Sequence, residues 1–202
     1  MLKSFLFIFI VFNTALFAEE SSETLKKIEE KRYLIENAAM IFKIDPSILA
    51  AVIYTERRLN FSWEDEAVDI LLAEASLNSS VGFCQVKMKT AYWLEIQFND
   101  STSVYHPGKE FSRILKVSSS PKEIIAKLQN DSLNILYAAA YLRIIESRWE
   151  NAGHPIKNRP AILGTLYSTG LFYEGEERKP NANPKANRFG DFVENSVKIF
   201  RR

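Results

Sequence analysis

The sequence predicts an all-α domain. Apolar residues recur at helical spacing through most of the chain, and the alternation typical of strands is nearly absent. The chain has 202 residues, of which 47% are hydrophobic and 25% charged, which suits one globular domain with a substantial core. Cys84 is the only cysteine, so packing rather than an internal disulfide framework must hold the fold together.

Residues 1–18 have the pattern of a secretory signal. Lys3 precedes an apolar block at residues 5–11, and a cleavage position follows at Ala18. The apolar block is short for a membrane span, which favours cleavage over the alternative of an uncleaved anchor. We therefore expect a single domain at residues 19–202, located in the periplasm or secreted.

The charge balance indicates no polyanionic partner. The chain has 26 Lys and Arg residues against 25 Asp and Glu residues, and removal of Lys3 with the signal leaves 25 against 25. A nucleic-acid-binding protein usually has a basic excess or stripe, which is absent beyond Arg201 and Arg202. His106 and His154 lie beside prolines without a second ligand at metal spacing, so we expect no metal or other cofactor. We also expect a monomer.

The helices are predicted from apolar spacing and from helix-start signals. A first helix at residues 22–42 is charged early and apolar later. Asp45 and Pro46 mark the start of the second helix, because Asp caps a helix and Pro fits its first turn. Further helices are predicted at residues 66–75, 85–96, 120–128, 132–149, 159–168 and 189–200, and a long loop at 170–190.

Residues 132–149 should form the central helix. Their apolar and small side chains, with Asn134 at one end, recur on one continuous helical face. Ala138, Ala139 and Ala140 would let another helix approach closely. We therefore place this helix in the middle of the domain.

Glu56 falls where the second helix should carry a hydrophobic residue. It shares one helical stripe with Leu49, Val52 and Ile53. Burial disfavours the charged form of a carboxyl group, so it keeps its proton nearer to neutral pH, as a general acid requires. The alternative is a half-exposed acid that pairs with Arg57 or with a neighbouring helix.

Four short motifs occur in a recognisable order. They are residues 44–53 followed by Glu56, residues 80–86 followed by Thr90 and Ala91, Asn134 and Ile135 followed by Ala139, Tyr141 and Leu142, and residues 166–170. In this order they resemble the lytic transglycosylases, which are lysozyme-like enzymes related to goose-type lysozyme. The resemblance covers residues 33–172, and it depends on all four motifs together rather than on any single one.

The resemblance implies a lysozyme-like fold and an exported enzyme that acts on peptidoglycan glycan strands. Glu56 would protonate the oxygen of the β-1,4 bond between MurNAc and GlcNAc. It would then accept a proton from the C6 hydroxyl of the MurNAc, giving a 1,6-anhydro-muramoyl end. Such an activity suits wall remodelling or the opening of the wall for an envelope-spanning machine, although the sequence identifies no such partner.

The resemblance also implies the substrate-binding residues. Residues 82–85 match the family's Gly-Leu-Met-Gln turn, with Phe83 and Cys84 in place of Leu and Met, and a buried Cys84 would serve in packing. Tyr167 matches a tyrosine that orients the catalytic acid, with a plain core tyrosine as the alternative. The implied substrate-binding residues are Gly82, Phe83, Gln85, Asn134, Tyr141, Tyr167 and Ser168. Tyr173 is a further candidate for the groove.

Three features depart from the family pattern. Arg57 stands where the family has Ser, and it could lower the pKa of the acid by folding over it. Ser168 stands where the family has Asn, and the spacing between Glu56 and Gly82 is long.

Two other functions stay open at this point. A hydrolytic lysozyme would use a second acid from the segment at residues 64–69. The acids of this segment would be explained equally well by a solvated helix face. A non-catalytic peptidoglycan-binding or scaffold domain on the same fold is the other alternative.

Overall fold

The protein is described by a computed structural model over residues 22–60, 80–173 and 176–201. Three sequence predictions lie outside these ranges: the signal at residues 1–18, the helix at 66–75 and the acids at 64–69. The side chain of Tyr173 also lies outside the described set.

The all-α prediction is confirmed. The described ranges contain eight helices, two hairpins and one short 3-10 turn at Lys109–Phe111. The helices are α1 (22–30), α2 (Arg32–Phe42), α3 (Pro46–Asn60), α4 (Met88–Asn99), α5 (Pro121–Gln129), α6 (Asp131–Asn151), α7 (Pro160–Thr169) and α8 (Arg188–Phe200). Within this part of the chain, no helix combines the length and apolar character of a membrane span.

The two hairpins are the main addition to the predicted elements. Each consists of antiparallel strands of two residues, β1 (Ser80–Val81) with β2 (Val86–Lys87) and β3 (Phe172–Tyr173) with β4 (Glu176–Glu177). The first hairpin delays the start of α4 to Met88, three residues after the predicted start. The second hairpin interrupts the predicted long loop, and a turn at Lys31 divides the predicted first helix in two.

Helix α6 occupies the centre, as predicted. It packs against α2, α3, α4, α5 and α7. Ala138, Ala139 and Ala140 are fully buried, and so are Ile144 and Ile145 on the same helix. Because alanine keeps the helix surface narrow, several neighbours approach the same stretch of α6.

Helix α3 carries the predicted acid and is held on two sides. It packs against α2 and, over a larger surface, against α8. Leu49, Val52 and Ile53 are fully buried, which confirms the apolar stripe below position 56. At the start of the helix the Asp45 carboxylate accepts a 2.8 Å hydrogen bond from the Ser47 backbone N–H, as expected for a cap.

Helices α7 and α8 approach each other closely through glycine. A Cβ on Gly190 would lie 2.0 Å from the Ala161 carbonyl oxygen and 2.3 Å from the Thr165 hydroxyl oxygen. A Cβ on Gly164 would lie 2.7 Å from a methyl carbon of Val193. This contact positions α8, and α8 in turn supports α3.

We expect Gly190→Ala to reduce the free energy of unfolding by about 3 kcal/mol, because the new methyl group overlaps backbone atoms. Urea denaturation measures this loss. Gly153→Ala is the matched control, since a Cβ there meets nothing within 4 Å and only the positive φ of 79° opposes it. Its expected cost is about 1 kcal/mol, and equal losses in the two variants would contradict the close helix contact.

Candidate active site

Glu56 is partly exposed on the wall of a cavity of about 440 Å³. Four other predicted site residues line the same cavity: Gln85, Tyr141, Tyr167 and Ser168. The structure therefore brings together residues from α3, the first hairpin, α6 and α7. The lining also includes Lys87 and Tyr137, which lie outside the sequence motifs.

The turn between β1 and β2 supplies one side of the cavity. It spans residues 82–85 and closes with a 3.0 Å hydrogen bond from the Gln85 backbone N–H to the Gly82 carbonyl. Both of these residues have positive φ angles, 78° at Gly82 and 52° at Gln85. A Cβ at Gly82 would lie 2.2 Å from the Leu128 carbonyl oxygen, so glycine is required there for both conformation and space.

Arg57 attaches this turn to the helix that carries Glu56. Its side chain is 1% exposed. Nε donates to the Phe83 carbonyl at 2.9 Å and Nη2 donates to the Gly82 carbonyl at 2.8 Å. The residue that departs from the family pattern thus ties the turn to α3, directly beside the candidate acid.

Asn134 fixes the same turn from α6. Its Oδ1 accepts from the Cys84 backbone N–H at 2.6 Å, and its Nδ2 donates to the carbonyls of Val81 and Leu128 at 2.8 Å each. The side chain is fully buried. All of these partners are backbone groups, which indicates a structural role.

Three predicted substrate-binding residues, Gly82, Phe83 and Asn134, are buried and are not among the residues that line the cavity. In the structure their hydrogen bonds hold the turn, and direct contact with sugar stays a prediction. Gln85, whose Nε2 donates to the Gly82 carbonyl at 3.3 Å, is the turn residue that reaches the cavity.

Cys84 is packed under the turn. It is 1% exposed, and burial raises the pKa of its thiol well above the ordinary range. A buried, protonated thiol is a poor nucleophile. The structure thus agrees with a packing role for this side chain.

Two tyrosines, Tyr141 and Tyr167, also line the cavity. The ring centroids of Tyr141 and Tyr167 lie 5.5 Å apart. Burial raises the pKa of Tyr141 to about 12 and that of Tyr167 well above its ordinary value, with smaller contributions at Tyr167 from nearby Cys84 and Glu56. Both phenols keep their protons at neutral pH, as a phenol with an ordinary pKa of about 10 also would.

Ser168 lies on the exposed rim of the cavity. Its hydroxyl donates to the Thr165 carbonyl at 3.1 Å and accepts from Nδ2 of Asn187 at 3.3 Å. Asn187 also caps α8, because its Oδ1 accepts from the Gly190 backbone N–H at 2.8 Å. An amide group thus stands next to position 168, although it comes from a residue that the sequence motifs did not indicate.

Tyr137 connects the cavity to a buried acid. Its hydroxyl donates to the carboxylate of Glu95, which is fully buried. The same carboxylate accepts from the Ser118 backbone N–H at 2.6 Å and from the Lys127 ammonium at 3.0 Å. Tyr137 lies four residues before Tyr141 on α6, a spacing that could have indicated a shared face.

Trp93 and His106 are not among the residues that line the cavity. Trp93 packs edge-on against Tyr105, Tyr141 and Phe172. His106 interacts with the Ser112 hydroxyl at 3.0 Å. In the described ranges, no group of three or more His, Cys, Asp or Glu side chains is placed to hold a metal ion.

A protein-family model described as "T6SS, Peptidoglycan muramidase Tse3, catalytic domain" matches residues 17–147. This match covers well over half of the chain. The chain belongs to this family. No curated protein sequence matches the chain.

Membership in the Tse3 catalytic-domain family confirms part of the resemblance. It identifies a lysozyme-like peptidoglycan-active domain and an enzyme that acts on glycosidic bonds. The matched residues include Glu56, the turn at 82–85, Asn134 and Tyr141. Tyr167 and Ser168 lie beyond the matched residues, and the structure alone connects them to the cavity.

We expect Arg57→Met to reduce the free energy of unfolding by about 2–4 kcal/mol, because the variant loses two buried charged hydrogen bonds to the turn. Thermal or urea unfolding measures the loss. Arg58→Met is the matched control, since the partly buried Arg58 donates to the Tyr54 hydroxyl at 3.2 Å. We expect a cost below about 1 kcal/mol for this control, and similar costs for the two variants would argue against the attachment of the turn by Arg57.

Proposed function

We propose that this protein is an exported peptidoglycan lytic transglycosylase with Glu56 as its catalytic acid and base. The observation that carries the proposal is the meeting of Glu56, Gln85 and Tyr167 on one cavity. The family supports peptidoglycan as the substrate. Its description also mentions a type VI secretion system, which is consistent with action on the cell wall from the periplasm.

The proposed reaction needs one carboxyl group. Glu56 donates its proton to the glycosidic oxygen as the bond from that oxygen to C1 of MurNAc breaks. The C6 hydroxyl of the same MurNAc then bonds to C1 and returns a proton to the Glu56 carboxylate. The products are a 1,6-anhydro-MurNAc end and a GlcNAc with a free 4-hydroxyl, so no water is consumed and the acid is regenerated.

The surroundings of Glu56 suit this cycle. Glu56 is the only carboxylate among the described residues that line the cavity. Because the attacking hydroxyl belongs to the substrate, its effective concentration is high without a second acid to activate water. The acids at residues 64–69, which a hydrolytic lysozyme would use, lie outside the described residues.

The other lining residues have distinct proposed roles. The Tyr167 phenol orients the Glu56 carboxyl group, and Tyr141 packs beside it as part of the sugar-facing wall. Gln85 offers an amide to the acetamido group of a sugar. The hydroxyl of Ser168 binds sugar hydroxyls at the rim.

We expect Glu56→Gln to lower the rate of anhydro-muropeptide formation about 10²- to 10⁴-fold, because the amide cannot transfer the proton. Residues 19–202 are incubated with intact peptidoglycan, and the products are analysed by mass spectrometry. Glu194→Gln, on the exposed side of α8, is the control and should retain full activity. Muropeptides with reducing ends in the wild-type digest would indicate hydrolysis instead, and binding without turnover would indicate a non-catalytic domain.

We expect Tyr167→Phe to lower kcat about tenfold with little change in KM, because the loss of one hydrogen bond leaves the acid poorly oriented. Initial rates on soluble glycan strands provide both constants. Tyr33→Phe, on the exposed face of α2, should change neither constant. A rise in KM with unchanged kcat would show that Tyr167 only binds sugar.

A further inference from the structure

A second groove, of about 450 Å³, runs along the outer side of α4. Its apolar surface is formed by Met88, Tyr92, Trp93, Ile96, Pro121 and Ile124. Lys89, Gln97 and three serines at positions 118–120 form its polar edge. The groove equals the candidate active-site cavity in size but is largely apolar.

The chemistry of the groove suits a neutral sugar. Tyr92 is 48% exposed, so a flat aromatic face is available in the free protein. The C–H face of a pyranose ring packs on such an aromatic face, while sugar hydroxyls and acetamido groups bond to ammonium, amide and hydroxyl groups. The described residues that line the groove include no carboxylate.

The groove lies next to the candidate active-site cavity along α4. Thr90 lines the cavity and Trp93 lines the groove. Three residues of helix separate these positions by only about 4.5 Å along the axis. The Trp93 ring also packs edge-on against the cavity residue Tyr141, with centroids 6.5 Å apart and planes at 90°.

A buried acid holds the edges of the two sites together. Glu95 accepts hydrogen bonds from the backbone and the hydroxyl of Ser118, which lines the groove, at 2.6 and 2.9 Å. The same carboxylate accepts from Tyr137, which lines the cavity. The Lys127 ammonium completes the set at 3.0 Å. The serine edge of the groove is thus fixed relative to the active-site cavity.

From this proximity we infer that the α4 groove binds the glycan strand where it continues beyond the bond that is cleaved, with Tyr92 as the stacking platform. The inference rests on the proposed function, because it takes the same polymer as ligand. It adds a binding site that favours long strands over short fragments. Because the proposed contacts are with the sugars, glycan without stem peptides is sufficient to occupy the groove.

The test measures binding without turnover. In Glu56→Gln protein, calorimetric titration gives Kd for two probes: peptide-free glycan strands of four or more disaccharides, and a tetrasaccharide of two disaccharides. We expect the added substitution Tyr92→Ala to weaken strand binding about five- to tenfold and to leave tetrasaccharide binding unchanged. Tyr92→Phe, which keeps the ring, should bind both probes as the parent protein does.

Tyr33→Ala is the matched control, since it removes a tyrosine that is 77% exposed on α2, and it should alter neither Kd. An unchanged strand Kd in Tyr92→Ala would overturn the groove inference, and so would an equal loss for both probes. If Tyr92 strengthens the binding only of strands that carry stem peptides, the occupant of the groove is a peptide, which would also overturn the inference. Failure of the parent protein to bind any glycan would overturn the proposed function and the groove together.

Discussion

The site depends on the attachment of one tight turn to two helices. The guanidinium of Arg57 donates to the carbonyls of Gly82 and Phe83 from α3, and the amide of Asn134 bonds to the neighbouring backbone from α6. The side chains of Arg57 and Asn134 are both buried, so bulk water does not compete for these hydrogen bonds. Because Arg57 directly follows Glu56, the position of the turn and the position of the acid are set by the same helix.

This attachment separates supporting residues from residues that face the ligand. Gly82, Phe83, Cys84 and Asn134 are buried and do not line the cavity, whereas Gln85 does. Tyr141 and Tyr167 line the same cavity as the partly exposed Glu56, and burial raises the pKa of both phenols. One acid among the described residues that line the cavity suits the proposed reaction, in which the substrate supplies its own nucleophile.

The sequence indicated the helices and the acid because both depend on local periodicity. The stripe of Leu49, Val52 and Ile53 is buried as predicted, and Ala138–Ala140 occupy the centre. Strands of two residues have too little alternation to be detected, so both hairpins were missed. The sequence also does not determine which way a long side chain points. In the structure Arg57 points to the turn, where it binds the carbonyls of Gly82 and Phe83.

Buried polar residues were the least predictable part of the site. Asn134 and Glu95 are fully buried only because tertiary partners satisfy them, and those partners lie far away in sequence. The motif containing Asn134 predicted substrate binding and did not indicate the hydrogen bonds to the turn that the structure shows. Asn187 reaches Ser168 through the docking of α8, which no local pattern around Ser168 indicates.

The most direct measurement is a crystal structure of Glu56→Gln protein with a bound glycan tetrasaccharide. The account predicts that the glycosidic oxygen lies within about 3 Å of the side chain at position 56, with an acetamido group against Gln85 and Arg57 still bonded to the turn. A sugar bound away from position 56, or a turn displaced from Arg57 while sugar is bound, would contradict it.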